Sequence, residues 1–235
     1  MLVYNLLIIQ IVLIHGKQSP HLLIIELFCM INHLFSQPLW KTKINLNSEI
    51  KTELLDQINQ NYQRFSDYKH PNWNCNVHST CAENNNVDYS DFLECVVEEY
   101  SKFSSLRGMK QHSYNITGPW YNYYLRSSNQ EIHTHGGYLR MYSGVYFLKL
   151  NQDHPKITFY NNSGSYLYYE AQNELANVYD RKTIEHSNIF VNHVLDVEED
   201  DFILFPAYLG HGVYIQNTDE PRITISFNIA FDKQR

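Results

Sequence analysis

The hydrophobic positions divide the sequence into a helical part and a strand-rich part. Residues 46–65 repeat apolar side chains at the three- and four-residue spacing of an amphipathic helix, and residues 88–106 do so again. Ser48 before Glu49, and a Ser/Asp pair at the start of the second segment, are typical of helix N-termini. The pattern therefore predicts two helices, near 48–65 and near 88–106.

From about Tyr114 the period changes to the two-residue alternation of β-strands. Short segments rich in aromatic and β-branched residues are separated by Gly, Pro, Asn and Asp. Eight short strands at this spacing favour a jelly roll or barrel over alternating β-α units. The predicted strands are WYNYYLR (120–126), QEIHTH (130–135), YSGVYFLKL (142–150), KITFYN (156–161), YLYYEAQ (166–172), HVLDV (193–197), DFILFP (201–206) and RITISFNIAF (222–231).

The last of these strands separates polar from apolar residues completely. Its polar positions are Arg222, Thr224, Ser226 and Asn228, and its apolar positions are Ile223, Ile225, Phe227 and Ile229. Such a strand is either a half-buried edge facing water, or a strand whose apolar face packs under the helices while its polar face lines a cavity. The second interpretation requires the two helices to cover the apolar face.

Composition and charge limit the class of protein. The 235 residues are 43% hydrophobic and 18% charged, which is typical of a globular chain long enough to bury one core. The formal net charge of −7 offers no general basic face for a phosphate backbone, so nucleic acid is not the expected partner.

The N-terminal residues 1–30 are mostly apolar, in two runs that are each shorter than the roughly 20 residues needed to span a bilayer. No Lys or Arg precedes Lys17, so the segment lacks the basic start of a secretory signal. We interpret it as an extension of unknown role and expect no membrane partner, with a secretory signal as the alternative.

The cysteine pattern favours a reducing compartment. No pair has CxxC spacing, so we expect free thiols and a cytoplasmic protein. A disulfide or a shared metal between Cys75 and Cys81 is the alternative. The four cysteines are Cys29, Cys75, Cys81 and Cys95.

Three histidines form the candidate metal site. In EIHTHGG (131–137), strand alternation directs His133 and His135 to the same side. His211 opens a new segment after the turn that follows Phe205, which can return a third imidazole to the same place. Neutral imidazole binds Fe, Zn, Cu or Ni, although a His-x-His pair alone is also common on exposed strands.

Arg222 lies eleven residues beyond His211, on the next strand. A buried guanidinium binds a carboxylate through two parallel hydrogen bonds, so metal ligands beside it indicate a chelated, anionic small molecule. The residues leave two other interpretations open. One is a cupin-like metalloprotein, which needs no carboxylate clamp, and the other is a non-catalytic jelly-roll binding module.

Three motifs resemble the Fe(II)- and 2-oxoglutarate-dependent oxygenases, and most closely a branch associated with phages and bacteria. They are HTHGGYLRMYSGVYFLKL (133–150), ILFPAYLGHGVY (203–214) and PRITISFNIAF (221–231). The resemblance extends from about Trp120 to Phe231, and LFSQPLWKTKI (34–44) is similar to the opening of the same branch.

The resemblance implies a mainly β fold, the double-stranded β-helix (jelly roll), with the N-terminal α-helices packed on the major sheet. Residues 31–235 would form one oxygenase-like domain, in which residues 31–110 give helical support and residues 111–235 form the jelly-roll core. The cofactors implied are Fe(II), 2-oxoglutarate and O2, and the reaction is hydroxylation of an unidentified substrate. We expect a protein side chain or a small molecule as that substrate, in preference to nucleic acid.

The resemblance also implies roles for single residues. His133 and His211 would be iron ligands, and Arg222 with Thr224 would bind the far carboxylate of 2-oxoglutarate. Tyr123 falls where some relatives place a tyrosine against the cosubstrate.

His135 occupies the position that is usually Asp or Glu, so the metal site would have three histidines, or two if His135 stands behind the others. We predict three aromatic side chains as pocket walls: Tyr146, Phe147 and Phe205.

Overall fold

The computed structural model describes residues 37–68, 73–81, 85–137, 139–160 and 192–232. Contacts divide the chain into residues 1–36 and 37–235, and the described residues all belong to the second unit. The proposed extension 1–30 and the predicted strand 166–172 therefore lie outside the described residues, and the predicted domain boundary stays a prediction. Of the helices that are described, none has the length and apolar character to cross a membrane.

The described residues form two helices and ten strands. The helices are α1 (Ser48–Phe65) and α2 (Ser90–Leu106). The strands are β1 (Trp40–Lys43), β2 (His78–Ser79), β3 (Tyr114–Tyr124), β4 (Gln130–His133), β5 (Arg140–Lys149), β6 (Ile157–Tyr160), β7 (Asn192–Val194), β8 (Asp201–Pro206), β9 (Gly210–Val213) and β10 (Arg222–Phe231).

The strands pair in two antiparallel sheets. The major sheet has the order β1-β8-β5-β10-β3-β2, and the minor sheet has the order β4-β9-β6-β7. Consecutive strands alternate between the two sheets over much of the chain, which is the arrangement of a jelly roll. The mainly β double-stranded β-helix predicted from the sequence is confirmed.

Both helices begin within two residues of the predicted starts, but the caps differ. The side chain of Asn47, not of Ser48, caps α1 by accepting a 2.9 Å hydrogen bond from the Glu49 amide. Before α2, Asp88 Oδ1 accepts hydrogen bonds from the Ser90 amide and hydroxyl. Asn47 is thus the N-cap of α1, whereas Tyr89 occupies the N-cap position of α2 and Asp88 accepts from one position before it.

The apolar face of β10 packs under the two helices, as the second interpretation of this strand requires. β10 lies between β5 and β3 in the middle of the major sheet, so it is not an edge strand. The rings of Phe227 and Phe92 meet edge to face at 6.2 Å. The shared core contains Leu54 and Ile58 of α1, Phe92 and Val96 of α2, and Ile223, Ile225, Phe227 and Ile229 of β10.

The cysteines of the described part form no disulfide with one another. Cys75, Cys81 and Cys95 are free thiols, and Cys29 lies outside the described residues. The alternative of a Cys75–Cys81 disulfide is not what the structure shows.

We expect Gly144→Ala to destabilise the protein by about 1–3 kcal/mol, the usual cost of overpacking a core. Gly144 pairs with Phe227 on the neighbouring strand, and an added Cβ would lie 2.1 Å from Phe227 Cζ. The Phe227 ring is fully buried and packed between Phe92 and Phe202, so it has no room to move. Urea unfolding would measure the loss.

Gly136→Ala is the matched control for this substitution, since its added Cβ would meet only Thr134 Oγ1, at 3.8 Å. Combining Gly144→Ala with Phe227→Leu should cost less than the sum of the two single changes. Full additivity of the two costs would contradict the steric explanation.

Candidate metal centre

A cavity between the two sheets brings the predicted histidines and Arg222 together. The major sheet supplies Trp120, Asn122 and Tyr124 from β3 and Arg222, Thr224 and Ser226 from β10, while the minor sheet supplies His133 and His211. His135 and Phe205 also line it. Among the described residues that line this cavity there is no aspartate or glutamate.

The three histidines converge because β4 and β9 are neighbours. His133 and His211 pair directly across the two strands, with ring centroids 4.3 Å apart. His135 follows β4, and its amide donates a 2.8 Å hydrogen bond to the Ala207 carbonyl, which brings its Nε2 to 3.3 Å from His211 Nε2. One ring nitrogen from each residue lies within 4.8 Å of the others. The set is compact enough to surround a single ion.

Two of the imidazoles are oriented by backbone carbonyls. His133 Nδ1 donates to the Glu131 carbonyl at 2.9 Å, and His211 Nδ1 donates to the Leu209 carbonyl at 2.9 Å. Because a carbonyl only accepts, the proton sits on Nδ1 and the lone pair of Nε2 is free to bind a metal. This fixed tautomer is the one that a metal ligand needs.

His135 is held by ring stacking instead of by a hydrogen bond to a carbonyl. Its ring lies against the nearly buried Trp120 indole, with centroids 5.7 Å apart and planes 28° apart. Gly118 makes room for that indole, since a Cβ there would lie 2.7 Å from Trp120 Cε3 and the residue has φ +94°. Sequence reasoning missed Trp120, although it lies two residues from the conformationally special Gly118.

All three histidines are kept neutral by their surroundings. Burial lowers the pKa of His133, and it lowers that of His211 well below its ordinary value. Burial, followed by repulsion from His133 and Arg140, lowers the pKa of His135 to about 3. Neutral imidazole is the metal-binding form, so the ligands need not lose protons at pH 7.

We expect the metal-free protein to lose stability as the pH falls from 7 to 5.5. The unfolded chain protonates His135 near its ordinary pKa of 6.5, whereas the folded chain leaves it neutral until about pH 3. The unfolded state therefore binds the extra proton, and His135 alone should cost about 1 kcal/mol over this range. Urea unfolding in chelator at the two pH values measures the change. His135→Gln should show a smaller loss, and an equal loss would contradict this assignment.

Arg222 is a buried cation with unused donors. It is 1% exposed, and its guanidinium carbon lies 4.5 Å from the Tyr124 ring centroid and 5.7 Å from that of Phe147. Nε and Nη1 are buried without a hydrogen-bond partner in the described part of the chain. Unpaired buried donors are rare and costly, and these two are free to donate to an anionic group.

Of the two predicted phenylalanine walls, Phe205 lines the cavity, and its ring meets the His211 ring at 4.8 Å. Phe147 is fully buried beside Arg222 and is not part of the lining. Thr224 is also in place, since it lines the cavity two residues from Arg222 on the same face of β10.

Tyr123 and Tyr146 lie on the opposite face of the major sheet, so their predicted places at the cosubstrate and the pocket are corrected. Tyr123 stacks on Tyr62 at 4.0 Å and its hydroxyl donates to Asn59. Tyr146 lies in the helix-covered core and its hydroxyl donates to Asp200 Oδ1 at 2.6 Å. Strand alternation is the reason, because adjacent residues of a strand face opposite sides.

Tyr124 and Asn122 occupy the cavity face of β3 instead. Tyr124 pairs with Arg222 across the strands, and its hydroxyl donates to Gln130 Oε1 at 2.7 Å. Asn122 Nδ2 donates to Ser226 Oγ at 3.0 Å, while its buried Oδ1 has no partner among the described residues. Strand alternation could have identified them, since residues paired in an antiparallel register share a face. Tyr124 and Asn122 pair with Arg222 and Thr224.

Comparison with known proteins agrees with this architecture. Residues 118–228 match the family described as "Putative 2OG-Fe(II) oxygenase". No curated protein matches the sequence.

Solved structures with the same fold share little sequence with this chain. AviO1 from Streptomyces viridochromogenes Tue57 has a TM-score of 0.56 at 9% identity, covering 85% of this chain and 92% of that chain. A Pseudomonas putida prolyl-4-hydroxylase has a TM-score of 0.51 at 8% identity, covering 84% and 95%. A third structure is a Trichoplax adhaerens prolyl hydroxylase in complex with a peptide fragment of the hypoxia inducible factor oxygen degradation domain. It has a TM-score of 0.51 at 14% identity, covering 82% of this chain and 83% of that chain.

The matched segment contains the three converging histidines and the buried Arg222, and the fold around it is shared with the solved structures above. Over residues 118–228, this chain matches the model of the 2OG-Fe(II) oxygenases, enzymes that use Fe(II), 2-oxoglutarate and O2.

Proposed function

We propose that His133, His135 and His211 hold the iron, that Arg222 anchors 2-oxoglutarate, and that the enzyme hydroxylates a peptide or protein side chain or a small molecule. The observation that carries the proposal is the buried, unpaired guanidinium of Arg222 in the same cavity as three neutral histidines. A cupin-like metalloprotein without a carboxylate cosubstrate would leave this guanidinium without a use.

The histidines suit a divalent transition metal. The fixed Nδ1 hydrogen bonds of His133 and His211 direct their Nε2 atoms into the cavity, and the Trp120 stack limits the rotation of His135. Imidazole nitrogen is a ligand that Fe(II) accepts, and three protein ligands leave coordination positions for a chelating cosubstrate and for O2. When bound, the iron supplies the oxidation chemistry that side chains cannot perform.

Arg222 and its neighbours suit the far carboxylate of 2-oxoglutarate. The guanidinium offers Nε and Nη1 as a fork, and the rings of Tyr124 and Phe147 hold its plane. Thr224 lies beside it and offers a hydroxyl to the same carboxylate. These residues bind and orient the cosubstrate, and they exclude water from its charged end.

The proposed substrate class is supported by the net charge of the chain and by two solved structures that share its fold. A formal net charge of −7 disfavours the phosphate backbone of a nucleic acid. Two structures with this fold are prolyl hydroxylases, and one of them is complexed with a peptide. A peptide side chain is therefore a substrate that such a scaffold accommodates, and a small molecule is the other class we propose.

Anaerobic reconstitution tests the proposal. Adding Fe(II) and then 2-oxoglutarate should produce a visible charge-transfer band, and admitting O2 should bleach it and release succinate. Fe(II) alone gives no band, which is the control. A protein that binds Fe(II) but gives neither the band nor succinate with 2-oxoglutarate would favour the cupin-like alternative.

A further inference from the structure

The cavity holds positive charge before any metal enters. Arg222 is buried in it, and histidines that bind a metal do so as neutral imidazoles, which add no charge. The nearby carboxylate of Glu131 faces elsewhere, where both of its oxygens accept from the Asn74 amide at 3.2–3.3 Å. The described lining contains no Asp or Glu, so the Glu131 carboxylate acts on His133 only from outside it.

A divalent ion bound to three histidines therefore enters a cavity of net charge +1 and raises it to +3. Charges interact more strongly in a water-poor cavity than in bulk water, so this state is penalised. A dianionic cosubstrate changes the sum to +1, because one carboxylate chelates the metal and the other pairs with Arg222. The usual triad of two histidines and one carboxylate would already remove one of these charges.

We propose that His135, by standing where a carboxylate usually stands, makes metal and cosubstrate bind cooperatively, so that neither occupies the cavity well alone. The inference rests on the proposed function, since it requires the dianion to bind both the metal and Arg222. Linkage makes the effect reciprocal: the factor by which cosubstrate raises metal affinity is the factor by which metal raises cosubstrate affinity. The enzyme would thus be loaded only when both are present.

The test measures Mn(II) affinity of the full chain by electron paramagnetic resonance, with and without saturating 2-oxoglutarate. In the wild type we expect the cosubstrate to raise Mn(II) affinity by about 100-fold, near the upper end of typical couplings. In His135→Asp we expect tighter binding of Mn(II) alone and a coupling of about tenfold or less. A coupling in His135→Asp as large as in the wild type would overturn the inference.

A second ligand separates charge from chelation. 2-Oxobutyrate offers the same keto acid chelate as 2-oxoglutarate but carries one negative charge and has no far carboxylate. It should raise wild-type Mn(II) affinity clearly less than 2-oxoglutarate does, and equal effects would overturn the role of charge.

Arg222→Gln provides a measurement that does not depend on His135. Removing this buried cation should strengthen Mn(II) binding in the absence of cosubstrate by severalfold, and unchanged or weaker binding would contradict the inference. Absence of 2-oxoglutarate binding to wild-type protein saturated with Mn(II) would refute the proposed function itself. If Mn(II) bound tightly and its affinity did not change with bound 2-oxoglutarate, only the proposed cooperativity would be refuted.

Discussion

Arg222→Ala should lower the affinity for 2-oxoglutarate by about a hundredfold to several thousandfold, the equivalent of losing one partner of a buried charged pair, about 3–5 kcal/mol. The size of the effect follows from burial. Arg222 is 1% exposed and its Nε and Nη1 have no other described partner, so the cosubstrate carboxylate would be left in the cavity without its counterion.

Isothermal titration calorimetry with saturating Mn(II) in place of iron measures this loss without turnover. Arg222→Lys should fall between the wild type and Arg222→Ala, because a point charge keeps the Coulomb attraction and loses the fork. Arg126→Ala is the matched control, since Arg126 pairs with Asp219 on the exposed surface and should leave the affinity unchanged. If Arg222→Ala bound 2-oxoglutarate with wild-type affinity, the cupin-like interpretation would be favoured instead.

His211→Ala should weaken metal binding by more than about 100-fold, because removing even an outer hydrogen-bond partner of a metal ligand costs 10–100-fold. His211 is buried and central to the cluster, with both other rings around it. His133→Ala should behave in the same way. His135→Ala should also lose metal if all three histidines are ligands.

Titration with Mn(II), followed by electron paramagnetic resonance, measures the series. His112→Ala is the control, because His112 contacts Tyr100 and the Lys110 carbonyl outside the cavity. Wild-type metal affinity in His211→Ala would refute the metal centre. Wild-type affinity in His135→Ala alone would leave a site of two histidines.

The sequence predicted those parts of the site that depend on local alternation and on a single turn. The polar and apolar faces of β10 could be read directly, and they place Arg222 and Thr224 in the cavity. His133 and His211 meet because their strands are antiparallel neighbours, which the turn before His211 already indicated. The two-residue period of the strands was therefore sufficient to predict the positions of these residues.

Other parts of the site depend on contacts between residues far apart in sequence, which the local hydrophobic period does not predict. Tyr123 was placed at the cosubstrate by resemblance to relatives, whereas register across β10 decides that Tyr124 shares the face of Arg222. Trp120 reaches His135 only because a glycine at 118 leaves room for the indole. Pairing register and ring packing join residues far apart in sequence, so neither could be predicted from local pattern alone.

Strand β10 carries the hydrophobic core on one side and the proposed cosubstrate site on the other, at alternate positions of ten residues. A one-residue insertion or deletion within it would exchange the two sides, burying Arg222 against the helices and directing isoleucines into the cavity. A shift of two residues would keep the sides in place. Mutations that impair cosubstrate binding and mutations that impair folding should therefore interleave along this strand.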